Sequence, residues 1–333
     1  SKQIPTSTSQ PDKPPFMAPG LLDRRLLFVT GKGGVGKSAV ATGLAILASR
    51  QGKRVLACEI DAKGNLSDFL ECGVTTFKPK EVHPSLWAMT MNTEDSLQEY
   101  LKLQMRLPLI GRVGPLAKAL EFVADAAPGV HEILTIGKLA YEVRERHYDL
   151  VVVDASASGH IVAQLGAADA IRELVSVGMV RQQTEWMRAL LADEATTGVA
   201  IVTTPEEMPV TETKELVERI GAKTDVSIAA VLANRVLPEL FFFNDRRVYE
   251  SLHANEVRAA LVAATSPSLP TVLRGADLAL HLRSAQSRQL DELRADLDPT
   301  IPVYHVPELF LRQHGLRATH LMADALATEL EGS

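Results

Sequence analysis

The stretch from Leu26 to Ser38, LLFVTGKGGVGKS, constrains this chain more than any other part of it. The apolar run Leu26 to Val29 reads as a buried strand. It breaks into a loop with four glycines, and Lys37-Ser38 then opens an Ala/Leu-rich pattern that predicts a helix. Gly31, Gly36, Lys37 and Ser38 fit the phosphate-loop pattern G-x-x-x-x-G-K-[ST], and the strand before it and helix after it supply the context that pattern requires. Its chemistry follows from its parts. Glycines lack a Cβ, so the loop can curl and turn successive backbone N–H groups inward around phosphate oxygens. The helix start adds the positive end of its dipole, and Lys37 adds a full charge. Ser38 offers a hydroxyl to a magnesium ion. A dinucleotide-binding loop is excluded on content, because Lys37-Ser38 has no role there. The stretch implies a nucleoside triphosphate.

Composition narrows the setting. The chain has 333 residues, 46% hydrophobic and 23% charged, which suits a globular protein of one large or two ordinary domains. Thirty-five basic against 41 acidic residues give a net charge of −6, so no nucleic-acid partner is expected. Two cysteines, Cys58 and Cys72, form no C-x-x-C pair and no disulfide framework. No apolar run approaches the roughly 18 residues of a membrane span, and no charged-then-apolar leader precedes the first strand. A cytoplasmic protein is expected, meeting any membrane through a partner.

Residues 1–20 are rich in Ser, Pro and Gln and are read as a disordered arm. From 21 to 333 a single domain is expected. Strand-like runs at 25–30, 54–60, 86–91, 149–154, 199–204, 227–233 and 301–306 alternate with helix-like segments. That alternation predicts an α/β fold, a doubly wound and mostly parallel sheet with helices on both faces. Several runs (LLFVT, LVVVD, AIVTT) are continuously apolar, as strands covered on both sides should be. Helical insertions are expected around 93–147, 161–197 and 239–297. Such insertions build lids, grooves or partner surfaces, or simply pack on the sheet. The Met179, Trp186, Met187, Leu190, Leu191 stripe and the Phe241-Phe242-Phe243 run are open to both readings.

Two carboxylates carry the expected chemistry. Ligands of open α/β sheets sit beyond the carboxyl ends of the strands, so Asp61, ending Glu59-Ile60-Asp61, should emerge beside the phosphate loop. There it can orient a water against the terminal phosphoryl group or hold magnesium through a water. Asp154 ends the apolar strand YDLVVVD, where phosphate-loop proteins place the carboxylate of the magnesium shell, and it is the counterpart of Ser38. The following ASASGH is small and flexible, suited to a loop that responds to the γ-phosphate. His160 in it reads as a hydrogen-bonded loop residue before it reads as a base. Asn234, ending VLAN, carries a donor and an acceptor that match the edge of an adenine.

Together these residues resemble the ArsA family, which includes the arsenite-pump ATPase and the eukaryotic tail-anchored-protein targeting ATPase. The likeness spans most of residues 25–330 and is strongest at Lys32 in GKGGVGKS. A lysine directly before Gly33-Gly34 marks the deviant Walker A loop shared with the MinD, ParA and nitrogenase-iron-protein relatives, where it reaches across a dimer to the partner's nucleotide. EIDAKGNLSD resembles the family's switch I, usually STDPAHNLSD, and aligns Asp61 with its water-positioning aspartate. DASASGH resembles switch II, usually DTAPTGH. VTTPEEMPVTETKEL, from Val202, resembles V-x-x-P-E-x-x-x-x-x-E-T, and VLANRVLPE aligns Asn234 with the adenine-contacting asparagine. VYHVPELFLRQHGLRATHL resembles the closing strand, proline and helix, with Pro307 near the base.

The resemblance implies ATP and Mg2+ as cofactors, with Gly33, Gly34, Val35, Gly36, Lys37, Ser38 and Ala39 around the phosphates, Ser38 and Asp154 on the metal, and Lys32 and Asp61 in catalysis. It departs from the family at Ala62-Lys63-Gly64, where Pro-Ala-His is usual, and at Ala157, where switch II has proline. The cysteines that bind arsenite in the pump ATPase and the C-x-x-C zinc clamp of the targeting ATPase are absent. One phosphate loop means two active sites need two chains, so a homodimer or a heterodimer is implied. EFVADAAPGVHEILTIGKL, from Glu121, is most like the short actinobacterial members, which tend to occur as related pairs. The cycle then serves a membrane-protein partner, an apolar-segment client, or regulation within a heterodimer.

Overall fold

A computed structural model describes residues 19–60, 64–92, 95–96, 99, 130–155, 158–174, 179–241, 243–252, 254–264, 268–311 and 315–332. Asp61, the 1–18 part of the arm and most of the first expected insertion lie outside the described residues.

Eight strands form one sheet among the described residues. They are β1 (Leu26–Gly31), β2 (Val55–Glu59), β3 (Lys80–His83), β4 (Leu86–Thr90), β5 (Leu150–Asp154), β6 (Thr197–Thr203), β7 (Ile228–Val236) and β8 (Val303–Pro307). Their spatial order is β3-β4-β2-β5-β1-β6-β7-β8. Every neighbouring pair is parallel except β3 with β4. The seven strands expected from sequence are all present. The eighth, β3, is an edge strand whose residues, KEVH, are partly or fully exposed. A short polar hairpin arm carries no continuous apolar run, which is the signal that exposes buried strands in a sequence.

Side chains alternate between two cores, one on each face. Leu27 and Val29 of β1, Val55 and Ala57 of β2, and Leu150 and Val152 of β5 enter the first core. Their chain neighbours Leu26, Phe28, Leu56, Cys58, Val151 and Val153 enter the second. Strands buried on both faces need covers on both faces, and the helices divide accordingly. Helices α1 (Lys37–Arg50), α2 (Asn65–Leu70) and α10 (Leu316–Glu331) cover the first. Helices α3 (Val130–Arg144), α4 (Ser158–Leu174), α5 (Met179–Ala192), α6 (Glu207–Lys223) and α9 (Leu269–Asp296) cover the second. The fold is the doubly wound α/β architecture. Helix α1 is buried along almost its whole length, and small residues let it lie close to α10. A Cβ added at Gly43 would come within 2.6 Å of Met322.

Between the long helices lie α7 (Phe243–Ser251) and α8 (Asn255–Ala264). Most of the Met/Trp stripe is core: Met187 and Leu191 are buried, and Trp186 and Leu190 pack against the same cluster. Phe241 stacks on Tyr249 at 4.6 Å between ring centroids. The exposed apolar residues are dispersed, Val74, Met208, Val248 and Phe310 among them, and on α9 Leu278 and Leu282 lie one turn apart. Among the described residues, no helix is long and apolar enough to cross a membrane.

Candidate functional site

The strand order puts β1 between β5 and β6, so the loop after β1 leaves the sheet where connections diverge to opposite sides. Register sets what surrounds it. Val29 lies beside Asp154, and Gly31 beside Val202. Two of the loop glycines are required by close approach as well as by backbone angle. Gly31 has φ +146°, and a Cβ there would lie 2.1 Å from the Val202 carbonyl oxygen. Gly36, at φ +92°, caps the start of α1, and a Cβ there would meet the Asn234 amide at 2.4 Å. Gly34 shares a positive φ, +88°, but a Cβ at Gly33 or Gly34 meets nothing within 4 Å. The loop is therefore tied down at its two ends and open along its middle, where a polyanion has room to lie.

Val35 is buried, while Ser38 and Ala39 form the first turn of α1 with Lys37. Lys37 Nζ donates to the Lys32 carbonyl oxygen at 3.1 Å, folding the lysine back over the loop. Lys32 itself turns outward: its Nζ lies 2.7 Å from Glu212 Oε1 on α6, with both side chains about one-third exposed. Asp154 ends β5 and is buried, 5% exposed. Even-numbered β5 residues face the α1 side, which places its carboxylate on the face where the loop enters α1.

Asn234 and Pro307 meet in one place. A cavity of about 220 Å³ is lined by Gly36, Ala39, Phe69, Asn234, Pro307 and Met322, among others. Asn234 is buried, and its Nδ2 donates to the Val35 carbonyl at 2.9 Å, so it ties β7 to the phosphate loop. The chain after it turns through Arg235 at φ +60° and is held by Gln286 of α9. Gln286 accepts from the Leu237 N–H at 2.8 Å and donates to the Arg235 carbonyl at 3.1 Å. On the other wall, Thr319 Oγ1 of α10 donates to the Phe69 carbonyl at 2.8 Å. Asn234→Ala is expected to destabilise the fold by about 1–3 kcal/mol, because it leaves the Val35 carbonyl unpaired in a buried setting. Chemical denaturation measures this.

The structure thus brings Gly36, Ala39, Asn234 and Pro307 to one cavity and sets Asp154 at the neighbouring strand end, while Lys32 points to α6. His160 is exposed on the first turn of α4. Sequence reasoning gave no separate role to Glu59, Glu212 or Gln286. Glu59 was readable as a charge ending an apolar strand and Glu212 as the Glu of the E-T pair in the segment from Val202, whereas Gln286 sits in a charged amphipathic helix with no local signal. Cys58 is fully buried, and burial pushes its thiol up, so it is inert.

A family model described as "Anion-transporting ATPase" matches residues 24–176 and 163–259. The chain is similar to the ATPase BagA of Mycobacterium tuberculosis, 30% identical over 301 residues that cover 86% of each protein. It is similar to the ATPase GET3 of Podospora anserina, 23% identical over 256 residues covering 65% of this chain and 75% of that one. Against the ATPase get3 of Schizosaccharomyces japonicus the match is 32% over 152 residues, 43% of this chain and 45% of the relative.

Proposed function

The chain belongs to the anion-transporting ATPase family and hydrolyses ATP; from that premise we propose that it works as a dimer that closes around ATP and reopens after hydrolysis. The observation that carries the reading is the convergence of three elements at one end of the sheet. They are the Gly36–Ser38 turn, the Asp154 end of β5, and the cavity between Asn234 and Pro307.

The adenine occupies that cavity, with Asn234 at its edge and Pro307 against its face. The triphosphate runs from it along the loop, past Gly34 and Gly33, where no side chain obstructs it. Backbone N–H groups and the α1 dipole hold the phosphates, with Lys37 folded over them. The residues present fit magnesium. The Ser38 hydroxyl and Asp154 carboxylate are hard oxygen donors, and a magnesium ion in such sites takes one or two protein groups plus phosphates and water. When bound, the ion neutralises charge on the terminal phosphates. Asp61, just beyond β2, orients the attacking water. Lys32 leaves Glu212 and meets the partner subunit's nucleotide, so the site is completed by a second chain.

This cycle serves a partner in transport or targeting, at a membrane that the protein meets through that partner. The cytoplasm is its proposed location. Asp61→Asn is expected to lower steady-state ATPase activity about a hundredfold while ATP still binds, measured by phosphate release and calorimetry. An unchanged rate would overturn the catalytic reading and identify the chain as the regulatory half of a heterodimer.

A further inference from the structure

Glu59 is a buried carboxylate that the nucleotide motifs leave without a role. It ends β2 directly beside Asp154, its partner in the parallel register of β2 and β5. Val55 and Ala57 of the same strand face the α1 side, so the alternation of the strand turns Glu59 to that side too, next to Asp154. Its burial is almost complete at 1% exposure. The two oxygens differ. Oε1 accepts the backbone N–H of Asn65, the first residue of α2, at 3.0 Å. Oε2 is buried and has no hydrogen-bond partner among the described residues.

A buried carboxylate oxygen left unpaired is strongly unfavourable, and a second carboxylate alongside makes it more so. Both penalties vanish if a divalent cation sits between the strand ends and the phosphate loop. The family's usual switch I, STDPAHNLSD, has serine at this position and so lacks the second charge. We propose that Glu59 is a second carboxylate of the magnesium shell, and that it passes the state of the metal to α2. This rests on the reading of Ser38 and Asp154 as magnesium-organising residues. One rigid carboxylate group joins the two roles. Oε2 serves the ion while Oε1 holds Asn65, so the start of α2 is held by the same group that senses the metal. Loss of the ion loosens both at once.

The test uses the full chain with a non-hydrolysable ATP analogue and Mn2+ as the probe, with bound metal counted by electron paramagnetic resonance. Glu59→Gln keeps an acceptor for Asn65, so its fold is retained, but it removes the charge. It is expected to weaken Mn2+ binding about tenfold while leaving affinity for the metal-free nucleotide unchanged. In the unaltered protein, hydrogen exchange in the 65–70 helix is expected to slow when Mg2+ joins the bound nucleotide. This second measurement holds even if the variant folds poorly. Asp154→Asn separates the levels of the argument. If it weakens Mn2+ binding and Glu59→Gln does not, the role of Glu59 is overturned alone. If neither variant changes Mn2+ binding, the magnesium reading of the whole site falls with it. Exchange in 65–70 that ignores Mg2+ overturns the link to α2.

Discussion

Lys32→Ala is expected to lower ATP hydrolysis by about a thousandfold and to change ATP affinity by less than about twofold. The first number follows from the role proposed for the side chain. A cation delivered to a transferring phosphoryl group from a second chain contributes about 10³–10⁵ in rate in comparable phosphate-loop systems. The second follows from the geometry within one chain. Lys37 Nζ is held by the backbone carbonyl of Lys32, not by its side chain, so alanine leaves the binding loop intact. What alanine does remove is the ion pair with Glu212, and a pair this exposed contributes about 0–1 kcal/mol. Single-turnover hydrolysis beside isothermal calorimetry separates the two effects. A variant that hydrolyses normally would overturn the idea that the site is shared between chains.

Gly31→Ala is expected to damage the fold itself. The obstacle is backbone, since the new Cβ would lie 2.1 Å from the Val202 carbonyl oxygen, inside the β1–β6 pairing. A flexible side chain could move aside; a strand bonded on both flanks cannot. The φ of +146° adds a conformation that side-chain-bearing residues rarely adopt. Strain together with a disrupted ladder should cost about 3–5 kcal/mol, at the upper end of single substitutions. In a chain of this size class that lowers the melting temperature by about 10 °C. Thermal melting followed by circular dichroism reads it, and a wild-type melting curve would show that the interior strand at Val202 yields more than packed strands should.

Much of this architecture was legible before any coordinates. Strands such as LVVVD and AIVTT are buried on both faces, so their apolar runs are unbroken and local. The strand β3 escaped because its half-exposed KEVH sequence is set by pairing with β4. The aromatic and methionine stripe of α5 carried helical spacing, but spacing alone does not say which neighbour it meets. Met187 and Leu191 turn out to meet the sheet. The turn from β1 into α1 was legible for another reason: its curvature depends on consecutive backbone groups, so all of its requirements lie within eight residues.

The GKGGVGKS stretch therefore set, with no help from the rest of the chain, a glycine-rich strand-to-helix turn of the phosphate-loop pattern, because loop curvature and helix start are local properties. Long-range register decided the remainder. It brought Asn234 to Val35, 199 residues away in sequence, and it paired Glu59 with Asp154 across β2 and β5. It also set Lys32 against Glu212 on α6. Each of these contacts depends on which strands lie side by side and how far each is slid along its neighbour. That choice is made by two whole cores packing at once, and no short stretch of sequence contains it.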